Sequence, residues 1–150
     1  MAARKARTLV VLDTNVLIAF YLSRSPLSPN AQVVRLWRDR RKLQLLLSKE
    51  VAEEYLEVLE RLGAHPDRLR RLATRFNRST TVSHVQLGPR VKACRDPEDN
   101  IMLSLAKVGK AKFLITNDRD LLEIPAAEKR KFRFQIVTPR LFLAIFKGDL

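Results

Sequence analysis

Acidic side chains stand at four places in this chain where metal-assisted hydrolysis could use them: Asp13, Glu54, Asp99 with Asp96 close by, and Asp118. Asp13 ends the apolar run Thr8-Leu9-Val10-Val11-Leu12, and Asp118 follows Phe113-Leu114-Ile115-Thr116. In open parallel sheets, ligands bind just beyond the carboxyl ends of the strands. Both aspartates therefore occupy positions suited to a reactive centre. The competing reading is structural, because both also precede helical stretches and aspartate is a good helix cap. Carboxylate oxygens are the preferred ligands of hard cations such as Mg²⁺ and Mn²⁺. One or two such ions between carboxylates and a phosphate orient the reactants, activate water and relieve developing charge. That chemistry needs no histidine base, and His65 and His84 lie outside the acidic segments.

The stretch after Ser48 holds five glutamates, Glu50, Glu53, Glu54, Glu57 and Glu60, so position on the helix must distinguish them. At about 100° per residue, Val51, Tyr55, Leu56, Val58, Leu59 and Leu62 form one apolar stripe. Glu53, Glu57 and Glu60 fall opposite it, and Glu50 is nearly as far round. Glu54 lies at the stripe's edge and is the one placed to turn toward a sheet. The segment Asp96-Pro97-Glu98-Asp99 reads as a helix start, with Asp96 as cap and Pro97 at the first helical position. Capping explains Asp96 well. It explains Asp99 less well, because the third helical position of a capping box favours Glu or Gln, and Asp99 is one turn before Leu103.

The elements that must carry these acids alternate between strand and helix. Strands are expected at Thr8–Leu12, Leu43–Leu47, Thr80–Val85, Phe113–Thr116 and Phe134–Val137. Helices are expected at Val16–Leu22, from an Asn30 cap to about Arg40, over about Lys49–Leu62 closed by Gly63, at Pro66–Asn77, from Pro97 to about Val108, and at Pro139–Phe146. Such alternation with short connections predicts a parallel sheet with helices on both faces, in one domain over residues 1–150 with a core of about 8–146.

Composition narrows the partners. Lys and Arg number 29 against 16 Asp and Glu, a net charge of +13 with a pI near 10.7. The excess suits a polyanion, and arginine pairs phosphate in a fork. Candidate contacts are Arg38 and Arg41, then the face carrying Arg68, Arg71 and Arg75, with Lys129, Arg130, Lys131 and Arg133 forming a further basic run. Each cluster also reads as an ordinary solvated face. One cysteine, Cys94, allows no internal disulfide, and no stretch is long and apolar enough to span a membrane. With a basic start that lacks a signal peptide's apolar core, the expectation is a cytoplasmic protein.

The ordered segments Val11-Leu12-Asp13-Thr14-Asn15-Val16-Leu17, Ser48 with Glu54 six residues on, Asp96-Pro97-Glu98-Asp99-Asn100, and Ile115-Thr116-Asn117-Asp118-Arg119-Asp120-Leu121-Leu122 resemble the motifs of the PIN-domain family. The match is closest to its prokaryotic toxin–antitoxin branch, the VapC-like ribonucleases. It spans about residues 8–146 and is weakest between Ala64 and Arg95. The resemblance implies a three-layer α/β/α sandwich on a sheet of about four or five strands, and a nuclease acting on RNA with Mg²⁺ or Mn²⁺. Asp13, Glu54, Asp99 and Asp118 carry over as catalytic metal ligands. Thr14 and Asn15 carry over as polar neighbours orienting Asp13, and Asp96, Thr116 and Asp120 support the site. Many VapC-like members have Asn where this chain has Asp118, so the number of metals is open. Relatives of this branch pair with a small antitoxin protein and commonly form homodimers, for which Leu141, Phe142, Ile145 and Phe146 are candidates unless they complete the core. Two rivals stand beside this reading: a non-catalytic nucleic-acid-binding module, and a haloacid-dehalogenase-type phosphohydrolase. The second usually needs another Asp two residues after the first, where Asn15 stands.

Overall fold

The structure, a computed structural model, describes residues 7–22, 25–87 and 97–146, and for residues 97–100 the helical backbone alone. Five short strands form one parallel sheet: β1 (Thr8–Leu12), β2 (Leu43–Leu47), β3 (Val82–His84), β4 (Phe113–Ile115) and β5 (Gln135–Val137), in the order β3-β2-β1-β4-β5. Every pairing is parallel, with Val10 opposite Leu45 on one side and Phe113 on the other. Central β1 and β4 are unbroken apolar runs because helices cover both of their faces. Val10, Val11, Leu12, Leu114 and Ile115 are fully buried. Burying each such side chain contributes about 1.5–3 kcal/mol.

The chain steps outward from β1 to β2 to β3, then crosses back to β4 and β5. Right-handed crossovers thus send α1 (Thr14–Leu22), α2 (Pro29–Arg38), α3 (Lys49–Arg61) and α4 (Pro66–Phe76) to one face. The helix α5 (Pro97–Val108) and the short α6 (Arg119–Leu122) and α7 (Ala126–Lys129) go to the other, and α5 packs on β1, β2 and β4. The last helix, α8 (Pro139–Phe146), packs against α2. The result is the expected α/β/α sandwich, and the strand order reverses between β1 and β4.

Several boundaries differ from the sequence reading for identifiable reasons. Asn30 is not the cap of α2: the Ser28 hydroxyl accepts the Ala31 N–H at 3.1 Å and Pro29 takes the first helical position, where its missing N–H costs nothing. Asn30 instead accepts a bond from the Asn117 amide at 2.8 Å. The third strand spans three residues rather than six, although Thr81 still offers its carbonyl to Leu45 N–H and to the buried Trp37 indole. Gly63 closes α3 with φ +91°, a conformation that glycine adopts without strain. The helices α6 and α7 are single turns too short to show a periodic pattern. In α8, Phe142 and Phe146 are buried in the core, which leaves Leu141 and Ile145 exposed.

Candidate active site

The reversal in strand order brings together the ends of β1 and β4, and the site is built there. The Asp13 N–H still belongs to the sheet, donating to the Ile115 carbonyl at 2.9 Å. Its side chain is only 5% exposed, and both oxygens are used. Oδ1 accepts the Thr14 backbone N–H at 2.8 Å, and Oδ2 accepts the Thr116 hydroxyl at 2.7 Å. Thr116 continues the β4 ladder, its N–H donating to Val137 at 2.9 Å. Its hydroxyl is fully buried and also accepts the Asp118 N–H at 2.9 Å. One threonine therefore ties the first aspartate to the loop that carries the last.

Glu54 enters from α3. Its Oε2 accepts the Thr14 hydroxyl at 2.8 Å, across forty residues of sequence. Glu50, Glu53, Glu57 and Glu60 are all exposed, while Glu54 is half-buried, so Glu54 is the glutamate of α3 that turns inward. The next residue, Tyr55, is fully buried and donates its hydroxyl to the Leu12 carbonyl, which fixes α3 against the end of β1. Sequence reasoning counted Tyr55 only as part of the apolar stripe. The available signal was that a buried tyrosine hydroxyl needs a partner.

Asp118 is also a cap: it starts α6, and its Oδ1 accepts the Asp120 N–H at 2.9 Å. Capping and site membership are compatible, because a carboxylate has about four lone-pair positions and this bond occupies one. Asp120 contributes its backbone N–H, and Asn15 is exposed on the first turn of α1. Asp99 lies on the first turn of α5, but its side chain is outside the described residues, as are Asp96 and Cys94. Among the described residues no three acidic, histidine or cysteine side chains form a metal cluster on their own.

The electrostatics of Asp13 test whether these residues suit a cation. Burial pushes its pKa above the ordinary carboxylate value, and the bonds from Thr116 and Thr14 oppose this without reversing it. The negative charges of Asp118 and Glu54 push it further in the same direction. The same causes, burial first and then Asp13 and Glu54, hold the Tyr55 phenol well above its usual value, so it remains a donor. Hard oxygens gathered against their own repulsion fit a divalent cation.

The remaining sequence candidates divide cleanly. Arg38, Arg68, Arg71 and Arg75 come together with Tyr21 around one concavity. Arg41 does not join them; it sits in a turn with φ +51°, where its carbonyl accepts the Arg7 guanidinium. The histidines are structural. His65 caps α4 through Nδ1, and His84 bonds the Phe76 carbonyl. No helix among the described residues is long and apolar enough to cross a membrane.

No curated protein matches the chain at a significant level. The family model described as PIN domain matches residues 9–120, a span that contains all four acidic positions, and PIN domains are generally nucleases. With a parallel sheet whose central strand ends carry the acids, the match removes the dehalogenase alternative: the chain belongs to the PIN-domain family.

Proposed function

We propose that this protein is a divalent-metal-dependent ribonuclease that hydrolyses RNA phosphodiester bonds. The observation that carries the reading is the hydrogen-bonded net at the β1–β4 switch point. It holds Asp13, Glu54 and Asp118 through Thr14 and Thr116, with Asp13 ionised only against burial and like charge. Asp99, on the adjoining helix, is the fourth ligand in this proposal. Mg²⁺ or Mn²⁺ bound there supplies Lewis-acid relief of charge on the phosphate oxygens and lowers the pKa of a water. The protein's part is to hold the oxygens in place. Thr14 and Thr116 fix the carboxylate planes, and burial around Asp13 keeps competing water away. The chain's charge of +13 supports a polyanionic substrate. In the toxin–antitoxin setting that the sequence resembles, a small antitoxin protein is the partner.

The test is cleavage of single-stranded RNA by the purified protein. Cleavage should require Mg²⁺ or Mn²⁺ and stop in EDTA. Undiminished cleavage in chelator overturns the mechanism. RNA binding with no cleavage under any divalent ion favours the non-catalytic binding module.

A further inference from the structure

Four guanidiniums, Arg38 of α2 and Arg68, Arg71 and Arg75 of α4, line with Tyr21 of α1 a concavity of about 300 Å³. Arginines on a merely solvated face diverge into water, but these converge and are held in place. Arg68 donates through Nη1 to the Tyr21 carbonyl at 2.6 Å and stacks 4.7 Å from the Tyr21 ring centre. Arg75 donates to the Arg38 carbonyl at 3.3 Å, and Arg71 to the Asp67 carbonyl at 3.3 Å. Arg38 lies 4.6 Å over the Phe20 ring.

These partners orient Arg68, Arg71 and Arg75 without neutralising them. Of the four, only Arg38 has a carboxylate partner among the described residues, Asp39 at 2.9 Å. The Asp67 carboxylate is taken by Arg70. Burial, and after it the charges of Arg38 and Arg78, draw the Arg75 pKa below its usual value, so cations are crowded here as anions are at the β1–β4 ends. Each guanidinium presents five N–H donors in a fork, and most have no partner among the described residues. A concave, pre-oriented, acid-poor cluster of this kind fits an anion with several acceptor oxygens.

The helix α1 links this cluster to the acids. Thr14, bonded to Glu54, opens the helix, and Tyr21 stands seven residues further on, about 10 Å of helical rise. One short single strand can therefore reach from the acids to the pocket.

We propose that the Arg38–Arg68–Arg71–Arg75 pocket seats a backbone phosphate of the RNA strand a few nucleotides from the bond that is cut. The pocket deepens the ribonuclease reading and rests on it for the position of the cut, but phosphate capture can be read without any catalysis. Phosphate contacts fix register and carry no base information, so the pocket makes the protein select for a continuous strand rather than a sequence.

The experiment is metal-free binding of a labelled single-stranded oligoribonucleotide of about ten nucleotides, several times the separation above, followed by fluorescence anisotropy over a salt series. The variants are Arg71→Gln, the pair Arg71→Gln with Arg75→Gln, and a control of equal charge, Lys107→Gln with Lys110→Gln on and just beyond α5. The arginine pair should weaken binding by about tenfold or more and reduce the log–log salt slope by about two. The control should change both clearly less. Arg71 is exposed and, among the described residues, bonds only its own helix, so Arg71→Gln alone, with a slope loss of about one, decides the matter if the pair melts early. Unchanged affinity in the arginine variants, or an equal loss in the control, overturns the proposal. So does displacement of the RNA by polyglutamate as readily as by unlabelled RNA, which makes the pocket a seat for an acidic peptide. Displacement by inorganic phosphate at comparable concentration reduces it to a simple anion site and also overturns it. A parent that binds the strand this way yet never cuts it with Mg²⁺ or Mn²⁺ overturns the ribonuclease reading and leaves the pocket standing. Cutting with arginine-variant affinity unchanged does the reverse.

Discussion

Two regions of this molecule gather like charges, and they do so by opposite means. At the β1–β4 ends, carboxylates are held by donors: two backbone N–H groups and two threonine hydroxyls. In the pocket between α1, α2 and α4, guanidiniums are held by acceptors, the carbonyls of Tyr21, Arg38 and Asp67. Asp13 is only 5% exposed, whereas the Arg38 side chain is 25% exposed. Charge effects grow as water is excluded, so the acidic centre has few degrees of freedom and strong fields. The cationic pocket has longer side chains, more water and weaker fields. The first arrangement suits chemistry, which fails with small displacements; the second suits capture, which tolerates them. Loss at the acids should therefore be abrupt and loss at the arginines gradual.

The largest expected effect separates neighbouring glutamates. Glu54→Gln should abolish RNA cleavage, while Glu53→Gln and Glu57→Gln leave it close to the parent, because only Glu54 turns inward to Thr14. Initial rates at saturating Mn²⁺ measure this. Equal losses at Glu53 and Glu54 would mean that charge on α3, rather than the held carboxylate, is what matters, and the contrast between the two regions would collapse.

A smaller effect is expected where no charge changes. Thr116→Val keeps the shape of a fully buried residue but removes the donor to Asp13 and the acceptor for Asp118 N–H. Groups that orient metal ligands are typically worth about 10–100-fold in metal affinity or activity. A Mn²⁺ titration and a cleavage assay on the same preparation should both move by that order, with metal-free RNA affinity unchanged. A parallel loss of metal-free affinity would show that the acidic centre also serves capture.

The smallest effect is on stability. The Asp13 pKa is raised in the fold, so the native state holds that proton more tightly than the unfolded chain does. Its contribution favours folding in acid and is lost as pH rises through the folded-state value. Asp13→Asn removes this dependence, so without metal the variant should gain on the parent as pH increases from acid toward neutral. Mn²⁺ should raise the Tm of the parent by mass action and that of Asp13→Asn much less. Asp118→Asn should likewise cost little without metal, since asparagine caps α6 as well as aspartate does. Melting curves across pH, with and without Mn²⁺, check this. A metal-free Asp13→Asn that melts well below the parent at neutral pH would make the acid a structural residue.

Local pattern was enough for the strand–helix alternation, because apolar runs and Ser, Pro and Gly punctuation act over a few residues. It placed Ser48 and Gly63 at the two ends of α3, put Asp13 and Asp118 beyond strands, and chose Glu54 by angular position. It also singled out Arg38, Arg68, Arg71 and Arg75, though only as members of separate basic clusters. Local pattern failed where a partner lies far away in the chain. It gave Asn30 a capping role because nothing nearby reveals the amide of Asn117. It treated Tyr55 as apolar filler because its acceptor, Leu12, is forty-three residues away. The resemblance names Thr116 only as a support; its place between two acids follows from β1 and β4 being neighbours, which the strand order decides. The convergence of Arg38 with the α4 arginines likewise needed α1, α2 and α4 on one face. The reason is one of range: helical and strand periods are properties of the backbone, whereas the partner of a buried hydroxyl, amide or charge is set by which distant segments the core packs together.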